Sequence, residues 1–130
     1  GAGSAMKSVN QLLAGVHIAV MGEAVAFGLT QGVNPEQLLS VISKCAGTSW
    51  MLENRLPHIV EADYSPHSAI NIWLKDLGIV ADISKETSFT PHLGLAALER
   101  YRAAADQGLG LEEDAAIVKP YAKEAGITLP

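Results

Sequence analysis

The sequence predicts an all-α domain, a helical bundle built around a long first helix. Apolar residues recur every three or four positions through almost all of the 130 residues, which is the spacing of a buried helix face. Strand patterns are nearly absent, and short clusters of Gly, Pro, Asn and Ser separate the helical segments. With this length and 48% apolar residues, we expect one domain with a substantial core.

The first predicted helix runs from about Gly3 to Gln31, and Gly32 marks its end. A helix of this length is rare in a small domain, so we expect a spine that connects this domain to another part of the protein. Its apolar stripe advances by threes and fours through Val9, Leu13, Val16, Val20, Ala24 and Phe27.

The second helix is predicted to begin at Asn34. Asn34 is a typical capping residue, Pro35 suits the first turn, and Gln37 stands where a capping box requires a carboxamide. We expect this helix to stop before Gly47.

A third, short helix is predicted to begin after the capping residue Ser49 and to end around Pro57, with a loop over 61–66. Ser68 is predicted to open the fourth helix. That helix is apolar nearly all round, so we expect it to be the buried centre of the domain.

The last two predicted helices lie in the remaining third of the chain. The fifth begins at Thr90 and Pro91 and runs to Gly108. The sixth begins with the acidic turn 112–114, which suits the positive end of a helix dipole. Pro120 is expected to kink or shorten it.

Composition excludes several classes of function. The net charge of -5, from 9 basic and 14 acidic residues, offers no basic stripe for nucleic acid. Polar residues interrupt the hydrophobic stretches, so no membrane span is expected, and no secretory signal is recognised. The single Cys45 excludes an internal disulfide and fits the cytoplasm. Because Gly1 is followed at once by a helical pattern without an initiator Met, we interpret the chain as an excised domain.

Lys7 is the first candidate for chemistry. It lies in the first turns of the long helix, where the positive end of the helix dipole disfavours a charged ammonium, so it is suited to proton transfer beside a dry cleft. Asn10 and Gln11 follow at i+3 and i+4, where both carboxamides can orient a hydroxyl or a carboxylate. From spacing alone, a solvated lysine with ordinary polar neighbours is the commoner interpretation.

Lys75 and Asp76 are the second candidates, because they interrupt an otherwise apolar helix and charges there usually need a partner. A lysine that reaches solvent beside a paired aspartate explains the pattern equally well.

The remaining candidates point to structure rather than to a site. The four histidines are His17, His58, His67 and His92; they lack the spacing of a helical zinc site, so no metal is expected. Cys45 has no histidine or aspartate context for a nucleophile. Trp50 and Trp73 are expected in the core or at an interface.

The start of the chain superficially looks like a dinucleotide-binding glycine loop. Met6 replaces the third glycine, no strand precedes the segment, and no βαβ pattern follows it. We therefore place the nucleotide-binding fold outside this chain.

Three segments together resemble the β-hydroxyacid dehydrogenases, the family that includes 3-hydroxyisobutyrate dehydrogenase. The segment Gly1–Asn10 is similar to the signature G-x-G-x-x-x-K-x-x-N, Trp73–Leu77 is similar to the K-D-L helix, and Gly110–Ala116 is similar to the closing G-x-x-D-x-[SA]-A segment. They occur in the family's order and span nearly the whole chain. The stretch Ala46–Arg55 looks most like the L-threonate dehydrogenase branch.

The resemblance implies a role for each candidate residue. Lys7 would assist proton transfer at the substrate hydroxyl while hydride passes to the nicotinamide. Asn10 and Gln11 would bind substrate, and Lys75 would lie against the cofactor with Asp76 supporting that region. Gln11 departs from the family's usual second asparagine by one methylene, so the substrate is expected to differ from hydroxyisobutyrate, with a four-carbon sugar acid preferred.

The resemblance also implies an architecture. Residues 1–130 would form the C-terminal helical domain, similar to that of 6-phosphogluconate dehydrogenase, and an upstream Rossmann domain would bind most of the NAD or NADP. Without that domain the chain is expected to be inactive. A homodimer or higher homo-oligomer is expected, with a small hydroxy acid as substrate.

Two alternatives remain open. The chain could be a non-catalytic helical dimerisation or interaction module in which Lys7 and Lys75 are merely solvated. It could also belong with the 6-phosphogluconate dehydrogenases, although an acidic chain offers few basic side chains for a substrate phosphate. The sequence does not discriminate NAD from NADP, because that selectivity lies in the ribose-binding part of a Rossmann domain.

Overall fold

The computed structural model describes all of residues 1–130 and is all-helical, as predicted. No strand forms, and the only β-type pairing is an isolated bridge between Ala69 and Glu113. The elements, in chain order, are α1 Ala2–Thr30, α2 Pro35–Ile42, α3 Trp50–Glu61, α4 Ile70–Glu86, α5 His92–Asp106, a 3₁₀ turn Asp114–Ile117, and α6 Val118–Ala125.

Helix α1 is the centre of the domain. It has 29 residues, so it is about 44 Å long, and every other element packs against it. Small residues allow this close approach: a Cβ atom on Gly15 would lie 3.0 Å from Leu77, and one on Gly22 would lie 2.9 Å from Ile117. The prediction of a long first helix is therefore confirmed.

The prediction that α4 is the buried centre is wrong. One face of α4 packs against α1 and α5, through Trp73, Leu77 and Val80. The opposite face is exposed although it is apolar; Ile79, for example, retains 48% of its accessible surface. An apolar helix surface is buried only where another element covers it, and none does so here.

Helix α2 begins as predicted, but α3 does not end where expected. Asn34 accepts from the Gln37 N–H at 2.8 Å and Gln37 accepts from the Asn34 N–H at 3.3 Å, which completes the capping box. Helix α3 continues past Pro57 to Glu61. The proline removes one N–H donor from the helix, and packing of α3 against α1 and α2 keeps the chain helical.

Helix α4 begins at Ile70, with Ala69 and not Ser68 at its capping position. Its first amides are bonded by a distant segment: the N–H of Ile70 donates to the Glu112 carbonyl at 2.9 Å and that of Asn71 donates to the Gly110 carbonyl at 3.0 Å. Backbone groups brought in by tertiary folding thus replace the predicted side-chain cap.

The sixth predicted helix is divided into the 3₁₀ turn and α6. Asp114 opens the 3₁₀ turn, and Pro120 lies in the first turn of α6, where a missing N–H is tolerated. The fifth helix begins at His92, directly after the predicted Pro91.

The core lies between α1, α3, α4, α5 and the 3₁₀ turn. Tyr101 is fully buried, donates from its hydroxyl to the Gly15 carbonyl at 2.7 Å, and stacks on Trp73 with 6.0 Å between ring centroids. Other fully buried side chains include Ile18, Met21, Leu56, Ile59, Ile70 and Ile117.

By length and composition alone, α1 is apolar enough to cross a membrane, so the expectation that no stretch has this character is wrong. Its most apolar 18-residue window has a mean hydropathy of 1.8, and half of that window is buried inside the domain. The central helix of a folded core has the same composition, because it too is surrounded by apolar neighbours.

Candidate functional site

A cleft between α1 and α4 brings together four of the five predicted site residues. Lys7 and Gln11 extend from the first turns of α1, and Lys75 and Asp76 extend from α4. The cleft has a volume of about 340 Å³ and is open to solvent on one side. Residues of two helices that are 64 to 69 positions apart in sequence therefore line one surface.

The best-defined polar contact in this cleft joins Gln11 to Asp76. The Gln11 side-chain amide donates to Asp76 Oδ2 at 2.7 Å, and the Asp76 side chain is only 18% exposed. Lys75 has a different environment, because its side chain is 71% exposed and its Nζ lies 3.9 Å from Asp76 Oδ1. An ion pair as open as that one contributes little stability, so the Lys75 ammonium is available to a ligand.

Asn10 lies on the other side of Lys7 and does not line this cleft. Its amide donates to Gln11 Oε1 at 3.5 Å, the long end of the hydrogen-bond range. It lines a neighbouring cavity of about 670 Å³, together with His17 and the exposed Trp50. The two amides thus flank Lys7 and face two adjoining depressions.

The remaining wall of the cleft is apolar. Ile79, Val80 and Ile83 of α4 line it opposite the α1 side chains, and Ser4 and Ser8 complete the α1 side. A ligand seated here would contact Lys7 and Gln11 on the α1 side, and Lys75 beside hydrocarbon on the α4 side, which is the mixed polar and apolar lining of a small-molecule site.

Sequence reasoning missed a buried charge cluster formed by Arg55, His58, Glu113 and Asp114. Asp114 is completely buried and accepts from Arg55 Nε at 2.7 Å and Nη2 at 3.2 Å. It also accepts from the Trp73 indole N–H at 2.8 Å. Glu113, 1% exposed, lies 2.6 Å from His58 Nδ1. The sequence signal that could have revealed the cluster is the apolar run 115–118, which directly follows Glu113 and Asp114, since consecutive apolar positions imply burial.

The electrostatics of this cluster follow from burial and pairing. Burial by itself lowers the pKa of the Arg55 guanidinium, but the hydrogen bonds and charge of Asp114 outweigh it, so the pKa is raised. Nearby, burial and the charges of Glu112 and Glu113 raise the pKa of Tyr64 to about 12. The Tyr64 hydroxyl is buried without a hydrogen-bond partner.

The cluster supports the cleft without lining it. Trp73 and Asp76 lie one turn apart on α4, and the bond from Trp73 to Asp114 holds the helix in place next to the turn from which Asp76 accepts from Gln11. The cluster therefore fixes the position from which Lys75 and Asp76 reach the cleft.

The other predicted residues do not assemble into a reactive centre. No group of three or more His, Cys, Asp or Glu side chains is arranged to hold a metal ion. Cys45 is a free, exposed thiol. Trp73 belongs to the core as expected, whereas Trp50 is 71% exposed.

Solved structures of similar shape define the class of domain. The 3-hydroxyisobutyrate dehydrogenase of Salmonella typhimurium matches 92% of this chain with a TM-score of 0.89 and 45% sequence identity. The 3-hydroxyisobutyrate dehydrogenase of Mycobacterium tuberculosis, solved with L-serine, matches 92% with a TM-score of 0.81 and 26% identity. The fold is thus that of a helical domain found in hydroxyacid dehydrogenases.

Sequence comparison then gives the family. The profile of the NAD-binding domain of NADP-dependent 3-hydroxyisobutyrate dehydrogenase matches residues 1–121. The chain belongs to this family of 3-hydroxyisobutyrate dehydrogenase-like NAD-binding domains, and the resemblance drawn from the three sequence segments is confirmed.

Similar curated proteins include the L-threonate dehydrogenases. That of Cupriavidus necator is 49% identical over 130 residues, which are all of this chain and 43% of that protein. That of Escherichia coli K12 is 45% identical over the whole chain and 42% of that protein. The chain thus spans about two fifths of the length of these relatives, and the suspected resemblance to the L-threonate branch is confirmed.

Proposed function

We propose that this chain is the C-terminal helical domain of an NAD(P)-dependent dehydrogenase that oxidises a small hydroxy acid and is inactive without an upstream Rossmann domain. The observation that carries the proposal is the shared cleft of Lys7, Gln11, Lys75 and Asp76. The family match and the identity of 42–49% to L-threonate dehydrogenases over the whole chain support it.

Lys7 is the residue proposed for proton transfer. Its side chain lines the cleft near the N-terminus of α1, with amide side chains on either side of it. In the oxidation direction the Lys7 amine would accept the hydroxyl proton of the substrate, while Asn10 and Gln11 hold the substrate in place.

The cleft fits one edge of a nicotinamide cofactor. The exposed ammonium of Lys75 matches an anionic dinucleotide, and Ile79 and Ile83 offer an apolar surface. The cofactor, when bound, supplies the hydride-accepting ring; NAD and NADP are both compatible with this chain. Lys75 would bind the cofactor, and the apolar wall would exclude water from the reacting hydroxyl.

We propose L-threonate, or a similar four-carbon sugar acid, as the substrate, with a 3-hydroxyisobutyrate-like acid as the second choice. The exposed ammonium of Lys75 provides positive charge for the carboxylate of such an acid. We further propose a cytoplasmic homodimer or larger homo-oligomer, because apolar residues such as Val20 and Phe27 stay exposed along α1. Light scattering of the full-length protein would measure its oligomeric state.

The test of the proposed activity is steady-state turnover of the full-length protein. L-threonate, 3-hydroxyisobutyrate and glycerate would be assayed with NAD and with NADP, for wild type and Lys7→Ala. We expect kcat to fall by about 10²–10⁴-fold in Lys7→Ala, the range for losing a general acid–base group. Lys123→Ala, which removes an exposed lysine of α6 far from the cleft, is the matched control. Near wild-type turnover of a folded Lys7→Ala protein would refute the assignment.

A further inference from the structure

We propose that Gln11 recognises a second hydroxyl group of the substrate through its carbonyl oxygen, and that Asp76 is the positioning residue that imposes this orientation. The inference rests on the proposed function and deepens it, because it assigns the group by which the cleft selects one hydroxy acid over another. It also assigns Asp76 an indirect role in substrate recognition, through Gln11.

The first step is to establish which side chain donates the hydrogen bond between Gln11 and Asp76. Ionised Asp76 can only accept hydrogen bonds, and its Oδ2 lies 2.7 Å from Gln11 Nε2. The reverse orientation would bring the Gln11 oxygen against a carboxylate oxygen, and the two would repel each other. The NH₂ group of Gln11 is therefore held against α4.

The second step is the freedom of the opposite end of the amide. Gln11 Oε1 must point away from Asp76, and its only side-chain donor is Asn10, at 3.5 Å. A donor at that distance leaves the acceptor capacity of the oxygen largely unused, since ordinary N–H···O bonds are 2.7–3.2 Å long. Gln11 therefore presents an acceptor to the surface that it shares with Lys7.

The third step is chemical complementarity. The ammonium of Lys75 already provides a cation for the carboxylate of the substrate, and a carboxylate placed at the Gln11 oxygen would be repelled. The group that complements an amide oxygen is a donor, and in a hydroxy acid the donor is a hydroxyl. Since the reacting hydroxyl belongs at Lys7, the partner of Gln11 is a further hydroxyl, so the site favours a polyhydroxylated acid over an alkyl-substituted one.

The experiment reverses the donor and the acceptor between the two helices, in the full-length enzyme. Gln11→Glu places two carboxylates in contact. Adding Asp76→Asn to Gln11→Glu restores a donor on α4, so the new carboxylate at position 11 can accept from it and still offer an oxygen to the substrate. The probes are L-threonate and its 4-deoxy analogue. Lys123→Ala is the control, and thermal unfolding checks that each variant is folded.

We expect Gln11→Glu to lower kcat/KM for L-threonate by about tenfold or more, and the double variant to recover to within about threefold of wild type, mainly through KM. If the NH₂ group of Gln11 instead held the substrate carboxylate, the double variant would bring two carboxylates together and stay as impaired as the single one. That result would overturn the inference.

A second comparison separates recognition from packing. Gln11→Leu combined with Asp76→Leu keeps an apolar contact between the helices but removes the acceptor. We expect the preference for L-threonate over the 4-deoxy analogue to fall by about tenfold. An unchanged preference, or a wild-type enzyme that favours 3-hydroxyisobutyrate over L-threonate, would overturn the inference while the dehydrogenase assignment stands. A wild type that turns over no hydroxy acid would refute both.

Discussion

Replacing Asp114 by alanine is expected to destabilise the domain more than any other single loss of a charge. The Asp114 carboxylate is fully buried and accepts three hydrogen bonds, two from Arg55 and one from the Trp73 indole. After its removal, the Arg55 guanidinium retains Glu113, at 3.5 Å, and the neutral side-chain oxygen of Asn54, and the indole N–H has no partner.

The expected cost follows from those lost contacts. Removing one member of a buried ion pair costs about 3–5 kcal/mol, because the remaining charge stays buried without its partner. For a chain of 130 residues, the entropy of unfolding is about 0.27 kcal/mol per degree, so a loss of about 4 kcal/mol lowers Tm by about 15 °C. Since the total free energy of unfolding of a domain is about 5–15 kcal/mol, this loss is a large fraction of the total.

The assay is urea unfolding of the wild type, Asp114→Ala, Arg55→Ala and the double variant, monitored by circular dichroism. The two single losses should be strongly non-additive, since both remove the same pair. Asp82→Ala, at an exposed carboxylate of α4 without an ion pair, is the control and should change stability by less than about 0.5 kcal/mol. A loss of under about 1 kcal/mol in Asp114→Ala would refute the reasoning.

Three further changes test other parts of the fold by urea or alkaline unfolding. Gly22→Ala should cost about 1–3 kcal/mol, because its Cβ would lie 2.9 Å from Ile117 where α1 meets the 3₁₀ turn. Asn34→Ala should cost about 1 kcal/mol, because it removes the capping box of α2. Tyr64→Phe should reduce the loss of stability between about pH 10 and pH 12: burial raises the folded pKa to about 12 from 10.0, so the unfolded chain deprotonates first and is favoured as the pH rises.

Each of these changes has a control and an outcome that contradicts it. Gly78→Ala is the control for Gly22, because nothing lies within 4 Å of a Cβ there and the helix should gain up to about 1 kcal/mol. A stable Gly22→Ala protein would show that α1 is not tightly packed. Unchanged urea unfolding in Asn34→Ala would contradict the prediction that the capping box of α2 stabilises the domain. A Tyr64→Phe protein with the wild-type alkaline midpoint would show that this phenol does not contribute.

Local signals predicted the helices well because they depend on neighbours in sequence. The capping box at Asn34 needs only residues three positions apart and occurs as expected. The apolar spacing of α1 predicted the helix but not its buried face, because the predicted stripe is largely exposed and the face with Ile18, Met21 and Val25 is buried instead. The end of α3 was mispredicted because Pro57 favours termination locally, whereas contacts with α1 and α2 keep the helix intact to Glu61. The start of α4 depends on carbonyls from 110 and 112, which no local pattern reveals.

By itself, the sequence determined the all-α class, the long first helix, and the family, through Lys7 and the K-D-L segment at their characteristic spacings. Only the tertiary structure decided which helix is central, that Asp114 is buried against Arg55, and that Gln11 is bonded to Asp76 across 65 positions. The physical reason is that helix formation is governed by contacts within a few residues, whereas burial and charge pairing depend on which helix faces meet.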